Sequence, residues 1–363
     1  MMRIVESAIS AEIVIEGRRY LNFAGSAYLG LGGRAEILDV GVATLRMMGA
    51  GYQIARHCQV ETQAYKQVEL EAAKFFRSEA AMYFANGYLF GLIALAAVRD
   101  RYGAIFFDEI AHFSLREAIG ASGLPSHSFR HLDPEDLRKQ LRLRLNAKDK
   151  PLIVTDGLFS AVGEIPPLSQ LASVMSEYDG HLLVDESHSF GVLGGQGHGA
   201  AELHNIPGSS TLVGGSLSKA FSACGGIIPA SETVVAELRT TPAGLGAGPG
   251  MPAAAAMCAA SLRFIREHPE LLARLRENVA YMKGGLRQLG LGVMDNIAPI
   301  ASFSMGSRQS MQDLRDRLMS EGIFVLHTNY IGAHADGVIR CGIFADHTRE
   351  QINQLIDALR RLI

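Results

Sequence analysis

Residues 211–229 read TLVGGSLSKAFSACGGIIP. An apolar run, Thr211-Leu212-Val213, stops at Gly214-Gly215, and the small turn Ser216-Leu217-Ser218 delivers Lys219 ahead of Gly225-Gly226. Three earlier apolar runs stop in a similar way: 104–107 at Asp108, 152–154 at Thr155-Asp156, and 182–184 at Asp185. Helix-patterned stretches at 134–143 and 167–177 lie among them. Strand, helix and strand in alternation predict an α/β protein with a mostly parallel central sheet and covering helices. Ligands of such sheets lie beyond the carboxyl ends of the strands, which is where Asp108, Asp156, Asp185 and Ser216 fall.

Lys219 has almost only small, apolar and hydroxyl neighbours, whereas a solvated lysine normally sits on a charged helix face. Burial there would depress its pKa and favour the neutral amine, the form that makes a Schiff base with an aldehyde cofactor. By itself a lysine in a Gly/Ser turn fits an ordinary surface position as well, so the other residues must decide.

The 363 residues are enough for a large core and two domains. An apolar fraction of 48% and a charged fraction of 20% are those of a globular protein, and a net charge of -3 offers no basic face for nucleic acid. Cys58, Cys224, Cys258 and Cys341 form no CxxC pair, which argues against a disulfide framework or zinc site and for a reducing cytoplasm. No run approaches the ~18 apolar residues of a membrane span, and the N-terminus lacks the pattern of a secretory signal.

In chain order, residues 12–23 alternate around Gly17-Arg18-Arg19 as a hairpin. Residues 28–33 form a glycine-rich loop, and 35–48 and 62–76 have helical spacing. After the glycine-rich stretch 243–250, a long alanine-rich helix is expected over 252–289, broken near Pro269. Short strands near 297–305 and 338–341 and helices 311–321 and 348–362 complete a smaller α+β unit. The expected division is an N-terminal segment, 1–45, a large domain, 46–245, and a small C-terminal domain, 246–363.

Taken together, the motifs GGSLSKAFSACGG around Lys219, LLVDESHSFGVLGGQGHGA with Asp185 and His188, VTDGLFSAVGEIPPL with Ser160, DEIAHFSL with His112 and IRCGIFADHTREQI with Arg340 occur in one order. This set resembles the α-oxoamine synthases over residues 13–363. The resemblance implies a fold type I enzyme that uses pyridoxal 5'-phosphate (PLP), works as a homodimer and condenses an amino acid with an acyl thioester, acyl-CoA or acyl carrier protein, usually with loss of carbon dioxide.

The resemblance also implies roles. Lys219 would carry the cofactor and move the Cα proton. Asp185 would keep the pyridine nitrogen protonated, making the ring an electron sink. His188 would bond the phenolic oxygen, with Ser160 a further donor, and His112 would stack on the ring. Asn86, Gly87, Tyr88 and Ser216 would hold the phosphate, helped by free amides at a helix start. Arg340 would pair with the amino acid's carboxylate through two parallel donors, near Ser26 and Arg56.

Departures from the family pattern concern substrate recognition more than the cofactor. Ser26-Ala27 replaces the usual Asn-Asp, Tyr65 stands where a histidine is expected, Gly244–Gly250 replaces a Phe-Ser-Thr segment, and an N-terminal helix common in the family is missing from the pattern. They leave two other readings open: another fold type I reaction, transamination or aldol cleavage, or a noncatalytic partner subunit of the same fold.

Overall fold

The structure, a computed structural model, describes residues 3–363 except 52, 53, 55–57 and 59. Its central sheet has seven strands in the order Ala80–Phe84, Gly226–Ala230, Thr211–Ser216, His181–Asp185, Pro151–Asp156, Ala104–Asp108, Ser126–Phe129. The last five run parallel, and Gly226–Ala230 runs antiparallel to both its neighbours. The expectation of a mostly parallel sheet with helical cover is met. The strand Pro151–Asp156 is buried at all six positions, as a strand covered on both faces must be. Its run of Leu152, Ile153 and Val154 therefore shows no alternation of apolar and polar residues.

Parallel register brings equivalent ends together. Asp156 is opposite Asp185, and Asp185 is opposite Gly214. Asp108, Asp156 and Asp185 are the last residues of three adjacent strands and are respectively 1%, 8% and 4% exposed. Three acids are thus enclosed along one edge of the sheet.

The expected hairpin is present as Glu12–Ile15 and Arg18–Asn22, and the latter strand also pairs with Ile323–Phe324 from the C-terminal part of the chain. A second small sheet places Val338–Gly342 between Ile300–Phe303 and Leu326–Thr328. Arg340 lies in its middle strand, opposite Ser302 on one side and Leu326 on the other. The alanine-rich region is two helices, Pro252–Glu267 and Glu270–Gln288, with Pro269 between them. Proline cannot donate into a helix interior but is accepted at a helix start. The last helix, Arg349–Leu362, starts at a capping box formed by Thr348 and Gln351.

The lysine turn is held by close packing. Gly225, at φ 147°, has no room for a Cβ, which would lie 2.3 Å from the Tyr83 ring, and the Tyr83 hydroxyl donates to the Cys224 carbonyl at 2.8 Å. Gly225→Ala should therefore lower the unfolding free energy by about 2 kcal/mol or more, through overpacking and a conformation unfavourable to L residues. Urea unfolding of the variant beside the parent protein measures this.

Candidate active site

Lys219 is half-buried in the turn after the strand Thr211–Ser216, with Nζ donating to Ser218 Oγ at 3.2 Å. Burial lowers its pKa, and the nearby Asp185 carboxylate opposes that shift. Asp185 accepts from the Ser187 amide at 2.9 Å, while Asp156 accepts from the His112 amide at 2.9 Å. Burial raises the pKa of both acids, and the charge of Asp185 adds to the rise at Asp156. A cation beside Asp185 would relieve this arrangement.

Two histidines flank the acids, and their bonds fix their tautomers. His112 caps the helix Phe113–Ser122, its Nδ1 accepting from the Ser114 amide at 3.2 Å. Nε2 is then the protonated nitrogen and donates to the Tyr330 hydroxyl at 2.7 Å. His188 Nδ1 is 2.9 Å from the Tyr28 hydroxyl. Arg340 Nη2 already donates to that hydroxyl at 3.3 Å, so its own proton points to His188 and the proton of His188 resides on Nε2. Burial lowers the pKa of both histidines, to well below the ordinary value at His188, where Lys219 and Arg340 add to the effect. Both are neutral imidazoles at pH 7.

Arg340 is 6% exposed, and its other donors reach the carbonyls of Ser160 at 2.7 Å and Gly25 at 2.9 Å. Among the described residues, no acidic side chain is paired with it. A buried guanidinium satisfied only by neutral acceptors retains a preference for an anion. Ser26 is half-buried next to Gly25. Ser160 is half-buried in the turn that meets Arg340.

Asn86, Gly87 and Ser216 also converge. Asn86 caps the turn Gly87–Leu89, accepting from the Tyr88 amide at 2.9 Å, and the helix Phe90–Val98 follows. A Cβ on Gly87 would lie 2.4 Å from that of Ser216, and one on Gly215 would lie 2.5 Å from the Ser187 amide. Ser216 Oγ is 2.6 Å from Ser218 Oγ. These small residues make a cradle with room for a dianion beside the Ser216 and Ser218 hydroxyls. Tyr88 is exposed and donates to Glu117 at 2.7 Å, turned to that carboxylate. Arg56 lies outside the described residues.

The cradle, the buried acid pair and the half-buried lysine are the set that PLP requires: an anion site, a partner for a protonated ring nitrogen, and an amine. A cleft of about 900 Å³ at the opposite end of the strands, lined by Phe76, Tyr102, His181, Leu212 and Val234, contains none of these residues.

Sequence reading passed over two participants. Tyr28 figured only as part of a loop, yet it is fully buried and joins His188 to Arg340. Tyr330 meets His112 across 218 positions, and no local pattern announces such a pair.

Comparisons with known proteins agree with this geometry. The profile of the family described as Aminotransferase class I and II matches residues 18–359. The putative 8-amino-7-oxononanoate synthase of Desulfovibrio desulfuricans is 31% identical over 366 aligned positions, covering 100% of this chain and 94% of the relative. The 8-amino-7-oxononanoate synthase 1 of Bacillus velezensis is 28% identical over 361 residues, 99% of this chain and 92% of its own. Among solved structures, Sphingomonas wittichii serine palmitoyltransferase superposes with a TM-score of 0.93 at 25% identity, covering 99% of this chain and 91% of its own. A serine palmitoyltransferase solved with its PLP internal aldimine has a TM-score of 0.93 at 24% identity over 99% and 92%, which shows the shared fold.

Tyr28→Phe should remain folded but lose about 1–3 kcal/mol of stability, because it leaves a buried guanidinium nitrogen and a buried imidazole nitrogen without their shared partner. Chemical denaturation of the purified variant checks this.

Proposed function

The chain belongs to the aminotransferase class I and II family and to its α-oxoamine synthases, and from that membership we propose its reaction: a PLP-dependent acyl transfer joining an amino acid to an acyl thioester. The observation that carries the proposal is the half-buried Lys219 facing Asp185 at the carboxyl edge of the sheet, with an acid-free Arg340 nearby. When bound, PLP supplies an electron sink for negative charge at the amino acid's Cα.

The chain's own residues account for the rest. With its pKa lowered by burial, Lys219 has the free amine needed to hold the cofactor's aldehyde and to take a proton from Cα. Asp185, as a carboxylate, would keep the ring nitrogen protonated. Asn86, Gly87 and Ser216 would hold the phosphate at the turn that Tyr88 closes, the Tyr88 hydroxyl being engaged by Glu117 and its amide by Asn86. His188, with Nε2–H free of the Tyr28 contact, would bond the phenolic oxygen with Ser160 as a further donor, and His112 would stack its neutral ring on the pyridine. Arg340 would receive the amino acid's carboxylate, with Ser26 next to Gly25, whose carbonyl Arg340 bonds; Arg56 is assigned to the same role by the family resemblance alone.

We further propose a homodimer. The helix Ala35–Met48 buries Ile37, Gly41 and Thr44 and leaves Leu38, Val42, Leu45 and Met47 exposed. Leu38, Val42 and Leu45 follow one another at helical spacing, forming an apolar stripe for a second copy. We also propose a cytoplasmic location, in keeping with the reading of Cys58, Cys224, Cys258 and Cys341, all four of which are free thiols; no helix among the described residues is long and apolar enough to cross a membrane.

The reaction is tested by incubating the PLP-loaded protein with single amino acids in deuterated buffer, with and without acyl-CoA, following Cα exchange by NMR and free thiol by a colorimetric reagent. Exchange quickened by the thioester and matched by thiol release is expected, with both lost in Lys219→Ala. Release of an oxo acid or aldehyde without thiol would instead identify transamination or aldol cleavage. For assembly, light scattering should find a dimer for the parent protein and a monomer for the Leu38→Glu/Leu45→Glu variant.

A further inference from the structure

Asp108, the innermost of the three strand-end acids, has a set of partners that the roles above do not use. Its carboxylate accepts from the amides of Ile110 at 3.0 Å and Leu132 at 3.1 Å. Both its oxygens also approach Nδ1 of His131, at 2.8 and 3.0 Å. The other ring nitrogen of His131 is 3.0 Å from Glu164, and the ring of Phe159 packs edge-on at 4.5 Å. An imidazole can donate from both nitrogens only when it carries both protons. Burial by itself would lower its pKa, but the hydrogen bonds to Asp108 and Glu164 outweigh burial and hold it at about 9.

We propose that His131, clamped as an imidazolium between Asp108 and Glu164, is a positioning residue of the cofactor site: it offsets the charge of Asp108 beside Asp156 and, through Asp108, fixes the loop that carries His112.

Two observations carry this. The strand Pro151–Asp156 lies between those ending in Asp108 and Asp185, so Asp156 has an acid on each side, and the charge of His131 opposes their effect on it. The second is the lacing of residues 108–112: the Asp108 carboxylate holds the Ile110 amide, its carbonyl holds the Ala111 amide at 2.9 Å, and Asp156 holds the His112 amide at 2.9 Å. Other charged groups around His131 are engaged elsewhere or are acids. Glu109 accepts the His131 amide at 3.0 Å, and Arg130 is paired with Asp133 at 2.7 Å and Asp136 at 3.6 Å. Among the described residues, His131 is therefore the cation that Asp108 and Glu164 share, on the side away from Lys219.

The inference rests on the PLP reading, and the experiment separates the two. PLP dissociation constants and the pH dependence of the bound chromophore's visible band would be measured for the full-length parent, His131→Gln and His131→Lys between pH 6 and 10. With Asp108 no longer held by a cation and the loop of residues 108–112 loosened, His131→Gln should bind PLP about tenfold more weakly at neutral pH, whereas His131→Lys, which keeps the charge, should remain within about threefold of the parent. The pKa of His131 is raised by folding, so its contribution to stability is complete below about pH 6.5 and is lost as pH rises through about 9. The parent's urea midpoint should fall across that window because of this group, and that component should be missing from His131→Gln. Should His131→Gln fail to fold, Glu164→Gln gives the same information: PLP affinity should begin to fall about one pH unit lower than in the parent.

The inference is overturned if folded His131→Gln binds PLP like the parent with an unchanged pH profile, or if the Gln and Lys variants are equally weak, which would mark a structural role alone. A parent protein that takes up no PLP would defeat the cofactor reading, and this inference with it.

Discussion

Asp156 and Asp185 end neighbouring parallel strands in register, both buried, and two carboxylates so placed cannot both be charged without compensation. The surrounding chain supplies that compensation in parts. Backbone amides of Ser187 and His112 reach the two acids, Lys219 lies within electrostatic reach of Asp185, and His131 lies behind Asp108. What remains is a site favouring a protonated ring nitrogen beside Asp185. His112 and His188 need no charge there: the Ser114 amide donates to His112 Nδ1, and the Tyr28 hydroxyl meets His188 Nδ1.

The small sheet is tied to this edge by neutral acceptors. Arg340 bonds the carbonyls of Gly25 and Ser160, and Ser302 Oγ donates to the Ala161 carbonyl at 2.8 Å. Tyr28 joins Arg340 to His188, so the residue assigned to the substrate's carboxylate and the one assigned to the phenolic oxygen share a hydroxyl. Burial pushes the Tyr28 phenol above its ordinary pKa, with Arg340 opposing the shift. Because it stays protonated, it can donate to one partner while accepting from the other.

Much of this was legible in the sequence because it is local. Runs such as LIVTD and LLVD state both the buried strand and the acid at its end, and Pro269 states the break between two helices. The strands Ala80–Phe84, Ser126–Phe129 and Gly226–Ala230 were not legible: SHSF is a polar edge strand, and GIIPA carries a glycine and a proline, residues usually read as turns. Long-range pairs were invisible for another reason, since nothing near Tyr330 or Tyr28 encodes His112 or His188. One pair of departures is connected in space. Tyr65, standing where a histidine was expected, donates from its hydroxyl to the carbonyl of Gly250 at 2.7 Å, in the glycine-rich stretch that replaces the Phe-Ser-Thr segment. A Cβ on Gly250 would lie 3.1 Å from that of Ala85, next to Asn86, so the two changes meet beside the phosphate cradle.

The account stands on one amine having the chemistry its setting gives it. The most direct measurement is to load the protein with PLP, reduce it with borohydride, digest it and locate the phosphopyridoxyl group by mass spectrometry. Stoichiometric labelling of Lys219 is expected, whereas no label, or label spread over other lysines such as Lys74 and Lys150, would show that this amine does not carry the cofactor.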